Sequence, residues 1–224
     1  MSYTIMIFLL ISVFIADGLI IYTVYKVNKT NYEQRKKIFN SLGYRIIEVK
    51  SKEHKSIIKT FEKVRSIPTL LLGFDLIVEL SHGSYFFEVI VNQRNPTPYT
   101  YGILEVAPDE LQNFPDFSIS KRSLFDKLFK KTQDPFLRDY KIYPEEMFGM
   151  LANSLIYEDL KNLFSKNTGK QVKKFGEYVA YYETLSKRIK IENLYDKLQE
   201  FEQFKKNFVE LISQMNFEKP KLES

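Results

Sequence analysis

Few residues in this 224-residue chain are of types that carry chemistry, and their spacing assembles no catalytic constellation. There are two histidines, His54 in a helical stretch and His82 in a turn, and neither has a second His or a Cys at metal-ligand spacing. Both are expected to be solvated surface imidazoles, and no metal ligand is assigned. The absence of cysteine removes thiolate zinc sites and Cys nucleophiles, and it agrees with a reducing compartment. The glycines form neither a G-x-G-x-x-G nor a Walker pattern, so no phosphate cradle and no cofactor are expected. Asp109-Glu110 and Glu145-Glu146 are paired acids, but adjacent helical positions face different ways, and acids in a first turn are ordinary dipole chemistry. Asp116 near Arg122 and Asp134 near Arg138 are expected to form structural ion pairs. No side chain has the surroundings of an activated base or nucleophile, and no catalytic residue is assigned.

One acid is placed where its type is costly. Asp17 lies within Ile5 to Tyr25, an otherwise uncharged apolar run. At about 1.5 Å per residue this run spans roughly 30 Å as a helix, the thickness of a bilayer's hydrocarbon core. The expectation is an uncleaved, single-pass transmembrane anchor over residues 1–27. A signal peptide would need a basic leader and small residues at a cleavage site, but the residues before the run carry no side-chain charge, and Phe14-Ile15-Ala16 has a large residue where a small one is needed. An ionised carboxylate at that depth costs on the order of 3 kcal/mol, so Asp17 is the candidate contact for an intramembrane partner. Gly18 has no second small residue four positions away, which leaves no small-xxx-small seam.

Lys26, Lys29, Arg35, Lys36 and Lys37 follow the run against a single Glu33 and form a juxtamembrane basic flank. The positive-inside rule then puts the N-terminus outside the cell membrane and the rest in the cytoplasm, with membrane lipid as a partner. The formal net charge is +5, and residues 26–37 hold +4 of it (five cations less one anion), which leaves +1 for the remainder. Nucleic acid is therefore not expected as a partner.

Residues 28–216 are expected to form one cytoplasmic α+β domain, with sub-lobes at about 32–107 and 108–216 and a disordered tail at 217–224. A helix over Tyr32 to Leu42 ends at Gly43. A strand over Tyr44 to Val49 precedes a helix from Ser51 with Ile57, Ile58, Phe61 and Val64 on one face. Runs from Gly73 to Leu80 and from Tyr85 to Asn92 read as a hairpin turning at Ser81-His82-Gly83-Ser84. A third strand over Tyr99 to Val106 follows the turn Asn95-Pro96-Thr97-Pro98, which completes an antiparallel meander. Downstream, Phe114 to Ile119 is extended, Ser123 to Lys131 is a short helix, and Asp139 to Tyr143 is a strand. A helix then runs from Pro144 to about Ser165, and Val172 to Phe175 and Tyr178 to Glu183 pair through Gly176. The last helix, from about Arg188, carries Ile191, Leu194, Leu198, Phe201, Phe204, Phe208, Leu211 and Met215 at spacings of 3, 4, 3, 3, 4, 3 and 4. Its aromatic content favours docking on its own domain over a coiled coil with a partner.

The segments Phe114-Pro115-Asp116-Phe117-Ser118-Ile119, Phe125-Asp126-Lys127-Leu128, Asp134 to Tyr140 and Val172 to Tyr182 carry a pattern of aromatic and turn residues. In that pattern the chain resembles a family of membrane-anchored bacterial proteins of unknown function, over residues 32 to 213. It departs from the family at Ser120-Lys121, where members tend to carry Pro-Glu. The resemblance implies an N-terminal transmembrane helix followed by an α+β domain, and it implies no catalytic residue. The expected function is an interaction or scaffolding module held at the cytoplasmic face of the membrane, with a protein partner or a homodimer. The alternative is a membrane-bound enzyme acting on lipid or envelope precursors.

Overall fold

The computed structural model describes residues 3–65, 76–90, 99–123, 126–127, 132 and 134–215, and of the side chains within helices those of 3–11, 21, 24, 28 and 65 lie outside the description. Strands β1 (Arg45–Ile46), β2 (Leu76–Ser81), β3 (Ser84–Ile90), β4 (Tyr99–Val106), β5 (Phe117–Lys121), β6 (Tyr140–Tyr143), β7 (Gln171–Phe175) and β8 (Tyr178–Leu185) form one sheet. Their spatial order is β1-β2-β3-β4-β8-β7-β5-β6, and every neighbouring pair is antiparallel. The fold class is α+β. The β4–β8 ladder, Tyr99 opposite Leu185 through Val106 opposite Tyr178, joins strands from the two halves of the chain.

Side-chain alternation assigns each strand residue to a face. Leu76, Val78, Phe86, Tyr101, Ile103, Val179 and Tyr181 build the larger core. Helices α1 (Tyr3–Ser41), α6 (Tyr157–Lys166) and α7 (Leu194–Ser213) cover that face, with the short helices α3 (Asp109–Gln112), α4 (Pro135–Asp139) and α5 (Glu145–Ala152). Ile77, Phe87, Val89, Leu104, Ala180 and Tyr182 point the other way, onto Ile57, Ile58, Phe61 and Val64 of α2 (Lys52–Arg65). The apolar stripe of α7 is spent on its own domain: Leu194, Leu198, Phe201, Phe204 and Phe208 are all buried. Each such side chain contributes roughly 1.5–3 kcal/mol of burial. Gly102 is required where β4 approaches its neighbour β8 most closely. A Cβ there would lie 2.1 Å from the Tyr181 carbonyl oxygen and 2.8 Å from the Tyr182 Cα.

The expected anchor over Ile5 to Tyr25, with its single-pass topology and membrane localisation, is corrected. Among the described residues, no helix is long and apolar enough to cross a membrane. From Ser12 to Thr30 the described side chains mix Val13, Phe14, Ile15, Leu19 and Ile20 with Ser12, Asp17, Thr23, Lys26 and Lys29. The same 39-residue helix then continues unbroken into the segment that packs on the sheet. The side chains of Ile5 to Ile11 lie outside the described residues.

Two further elements differ from expectation. The strand at residues 44–49 contracts to Arg45–Ile46, because it pairs only with β2 at the sheet edge. The helix expected from Pro144 to Ser165 is two helices, α5 and α6. Backbone N–H of Asn153 and hydroxyl of Ser154 close α5 onto the Gly149 and Leu151 carbonyls, and Leu155 is left fully exposed between the two. The residues expected to open the first hairpin strand, the turn at 95–98, most of the helix at 123–131 and the tail at 217–224 lie outside the described residues.

Candidate functional site

The root of α1 is set by helical spacing. Tyr32, Arg35 and Phe39 stand three and four residues apart on one face, and all three are buried. Phe39 meets Phe86 of β3 with ring centroids 5.7 Å apart. Arg35, 2% exposed, lies over Glu88 of the same strand, which alternation turns to the α1 face and which is wholly buried.

Glu88 organises a cluster of four side chains. Its Oε2 accepts from Arg35 Nη1 at 2.7 Å, and its Oε1 accepts from Arg188 Nε at 2.5 Å and from the Tyr101 hydroxyl at 3.3 Å. The Tyr101 oxygen in turn accepts from the Ile189 N–H at 2.9 Å, while Arg35 Nη2 donates to the Ile189 carbonyl. The Arg188 guanidinium also lies over the Tyr99 ring. Burial lowers the Arg35 pKa; the Glu88 charge opposes this and the Arg188 charge adds to it. Burial, reinforced by Glu88, pushes the Tyr101 phenol up. One carboxylate thus binds two guanidiniums, and the helix, the sheet and the 188–190 segment meet on it. The cluster fixes how α1 leaves the domain.

Beyond that root, α1 runs clear of the sheet. Phe14 is 71% exposed, Leu19 and Tyr22 are each 61% exposed, and Val13, Ile15, Ile20, Tyr25 and Val27 are also exposed. At about 3.6 residues per turn these side chains point around the whole circumference. Asp17 is exposed among them, as are Lys26 and Lys29.

The five cations of the expected juxtamembrane flank therefore do different things. Lys26, Lys29 and Lys37 are in solvent. Lys36 donates to Glu48 Oε1 at 2.9 Å and lies over the Tyr32 ring, and Arg35 is part of the core. Arg35's partners were legible in part. A cation spaced with Tyr32 and Phe39, and an acid spaced with Phe86 in an apolar strand, are each inward-facing charges. Nothing in the sequence pairs them.

The other candidates are occupied by structure. Asp134 caps α4 by accepting from the N–H groups of Phe136 and Leu137, and it also accepts from the Tyr157 hydroxyl at 3.2 Å. Burial raises its pKa, and these hydrogen bonds together with Lys161 outweigh that and hold it below the usual range. Arg122 donates to the Leu137 and Tyr140 carbonyls, and Asp116 accepts from the Gly176 N–H at 2.7 Å, so neither expected ion pair is the principal contact of its acid. His54 is buried against expectation, its pKa lowered by that burial, and His82 is exposed. A cavity of about 260 Å³ lies between α4 and α6, floored by Phe136, Tyr140 and Phe164, and its Lys161 is bound to Glu158. Among the described residues, no group of three or more His, Cys, Asp or Glu could hold a metal ion.

No family model, curated protein or solved structure matches this chain. The arrangement itself carries the functional reading.

Proposed function

We propose that the protein is an interaction and scaffolding module, in which a rigid α+β domain presents the N-terminal half of α1 to a protein partner. The observation that supports it is the set of exposed large apolar side chains distributed around α1 between Val13 and Val27, interrupted by Asp17, Thr23 and Lys26. A helix apolar on all sides is stable when it is surrounded, so the partner supplies several apolar helices and not a single groove wall. Burying Phe14, Ile15, Leu19, Ile20 and Tyr22 at roughly 1.5–3 kcal/mol each yields on the order of 10 kcal/mol, enough to offset the cost of association. Asp17 sets the specificity: within such a contact its carboxylate needs a cation or hydrogen-bond donor opposite it. A symmetric pairing that brings Asp17 onto Asp17 is disfavoured, which points to a different protein.

Crosslinking and affinity capture test this with three chains: the full chain, one lacking residues 1–26, and Asp17→Ala. The full chain captures a discrete partner, the shortened chain captures none, and Asp17→Ala captures it weakly. Capture by the shortened chain, crosslinking only to a second copy, or flotation of the full chain with lipid vesicles would each contradict the reading.

A further inference from the structure

The opposite face of the sheet carries a second surface, independent of α1. Lys52, Lys55, Lys59 and Lys63 of α2 are all exposed and stand three, four and four residues apart, so they form one stripe along the helix's solvent side. The stripe is about 16 Å long. None of the four makes an ion pair among the described residues. The whole-chain charge balance averages over this stripe: of the two acids on α2, Glu53 is held by Arg45 and Glu62 is half-buried, and neither forms an ion pair with the four lysines among the described residues.

Aromatic side chains continue the surface. A cavity of about 130 Å³ separates α2 from the sheet, with Ser56 and Thr60 on the helix side and Tyr85 and Tyr178 on the sheet side. Ser56 and Thr60 are helical neighbours of Lys52, Lys59 and Lys63. Tyr178 stands opposite Phe175, which is 44% exposed. One rung further, Lys173, Ser118 and Tyr143 stand in register across β7, β5 and β6, and Tyr143 is 69% exposed. The two carboxylates beside the cavity, Glu53 and Glu79, are both held by Arg45.

From this continuity we infer that the α2 face binds single-stranded nucleic acid. Phosphates follow the lysine stripe, one base enters the slot between Thr60, Tyr85 and Tyr178, and further bases stack on Phe175 and Tyr143. The aromatic rungs decide between anionic partners. An acidic peptide needs only the cations, whereas every base offers a π-face to stacked rings, and a duplex hides those faces.

The test is fluorescence anisotropy of the full chain with labelled single-stranded RNA and DNA of roughly 12 nucleotides, across a salt series. Log affinity against log salt is expected to fall with a slope of about −2 to −3, near 0.7 per phosphate for three or four contacts. Lys59→Glu with Lys63→Glu weakens binding at least about ten-fold and flattens the slope. Phe175→Ala and Tyr143→Ala, both at exposed positions that leave the fold intact by thermal melting, each weaken it about five-fold or more with the slope unchanged. No binding, equal affinity for duplex or polyglutamate, or indifference to both aromatic substitutions would overturn the proposal.

Discussion

Glu88 is the residue on which the domain and the projecting helix both depend. Its carboxylate faces two guanidiniums in a site closed to water, so its neutralisation leaves two like charges without their counterion. Glu88→Gln is expected to cost about 3–5 kcal/mol, read by urea denaturation, and a loss below about 1 kcal/mol would show that the pair contributes little. His54 gives a second, pH-dependent signature. Because burial lowers its pKa, the unfolded chain takes up a proton that the folded chain refuses. Stability is complete above the unfolded imidazole's pKa of about 6.5 and declines as the pH falls through that value towards the folded pKa. His54→Gln should therefore flatten the loss of stability between pH about 7 and about 5. An unchanged slope would assign that loss to other groups.

At the scale of elements, the antiparallel ladder of β4 and β8 is the joint between the two halves of the sheet. Gly102→Ala places a methyl group against backbone that cannot move without separating the strands. A destabilisation of about 3 kcal/mol is expected by thermal or urea unfolding. Elements whose periodicity is local were legible from the chain alone. The α2 face of Ile57, Ile58, Phe61 and Val64, the hairpin at Gly83, the Gly176 turn and the stripe of α7 all appear where the pattern places them. What the pattern could not supply was long-range. The Glu88 cluster joins residues 53 and 100 positions apart in the chain, and the break between α5 and α6 depends on capping at Asn153 and Ser154 within a continuous apolar pattern. The apolar run at the N-terminus was legible as a helix. Its continuation through Arg35 to Ser41 as one docked element was set by contacts with β3 that no local pattern records.

For the whole molecule, the two sheet faces divide the work. One face builds the core and holds α1 at its root through Glu88, so a partner gripping the exposed half of the helix is coupled to a stiff body. The other face is covered by α2, whose solvent side presents the exposed lysine stripe. If the N-terminal half of α1 is the recognition element, removal of residues 1–26 should leave the domain folded, since the residues before Asn31 are exposed wherever they are described, whereas Tyr32, Arg35 and Phe39 beyond them are buried. The most direct measurement is photo-crosslinking from probes placed singly at Phe14, Ile15, Leu19 and Ile20, which lie on three sides of α1 with Ile15 and Leu19 sharing one, with a probe at the fully exposed Leu155 as the reference. The account predicts one and the same protein partner captured from all four positions and none from Leu155. Capture from one side of the helix only, or equal capture at Leu155, would contradict it.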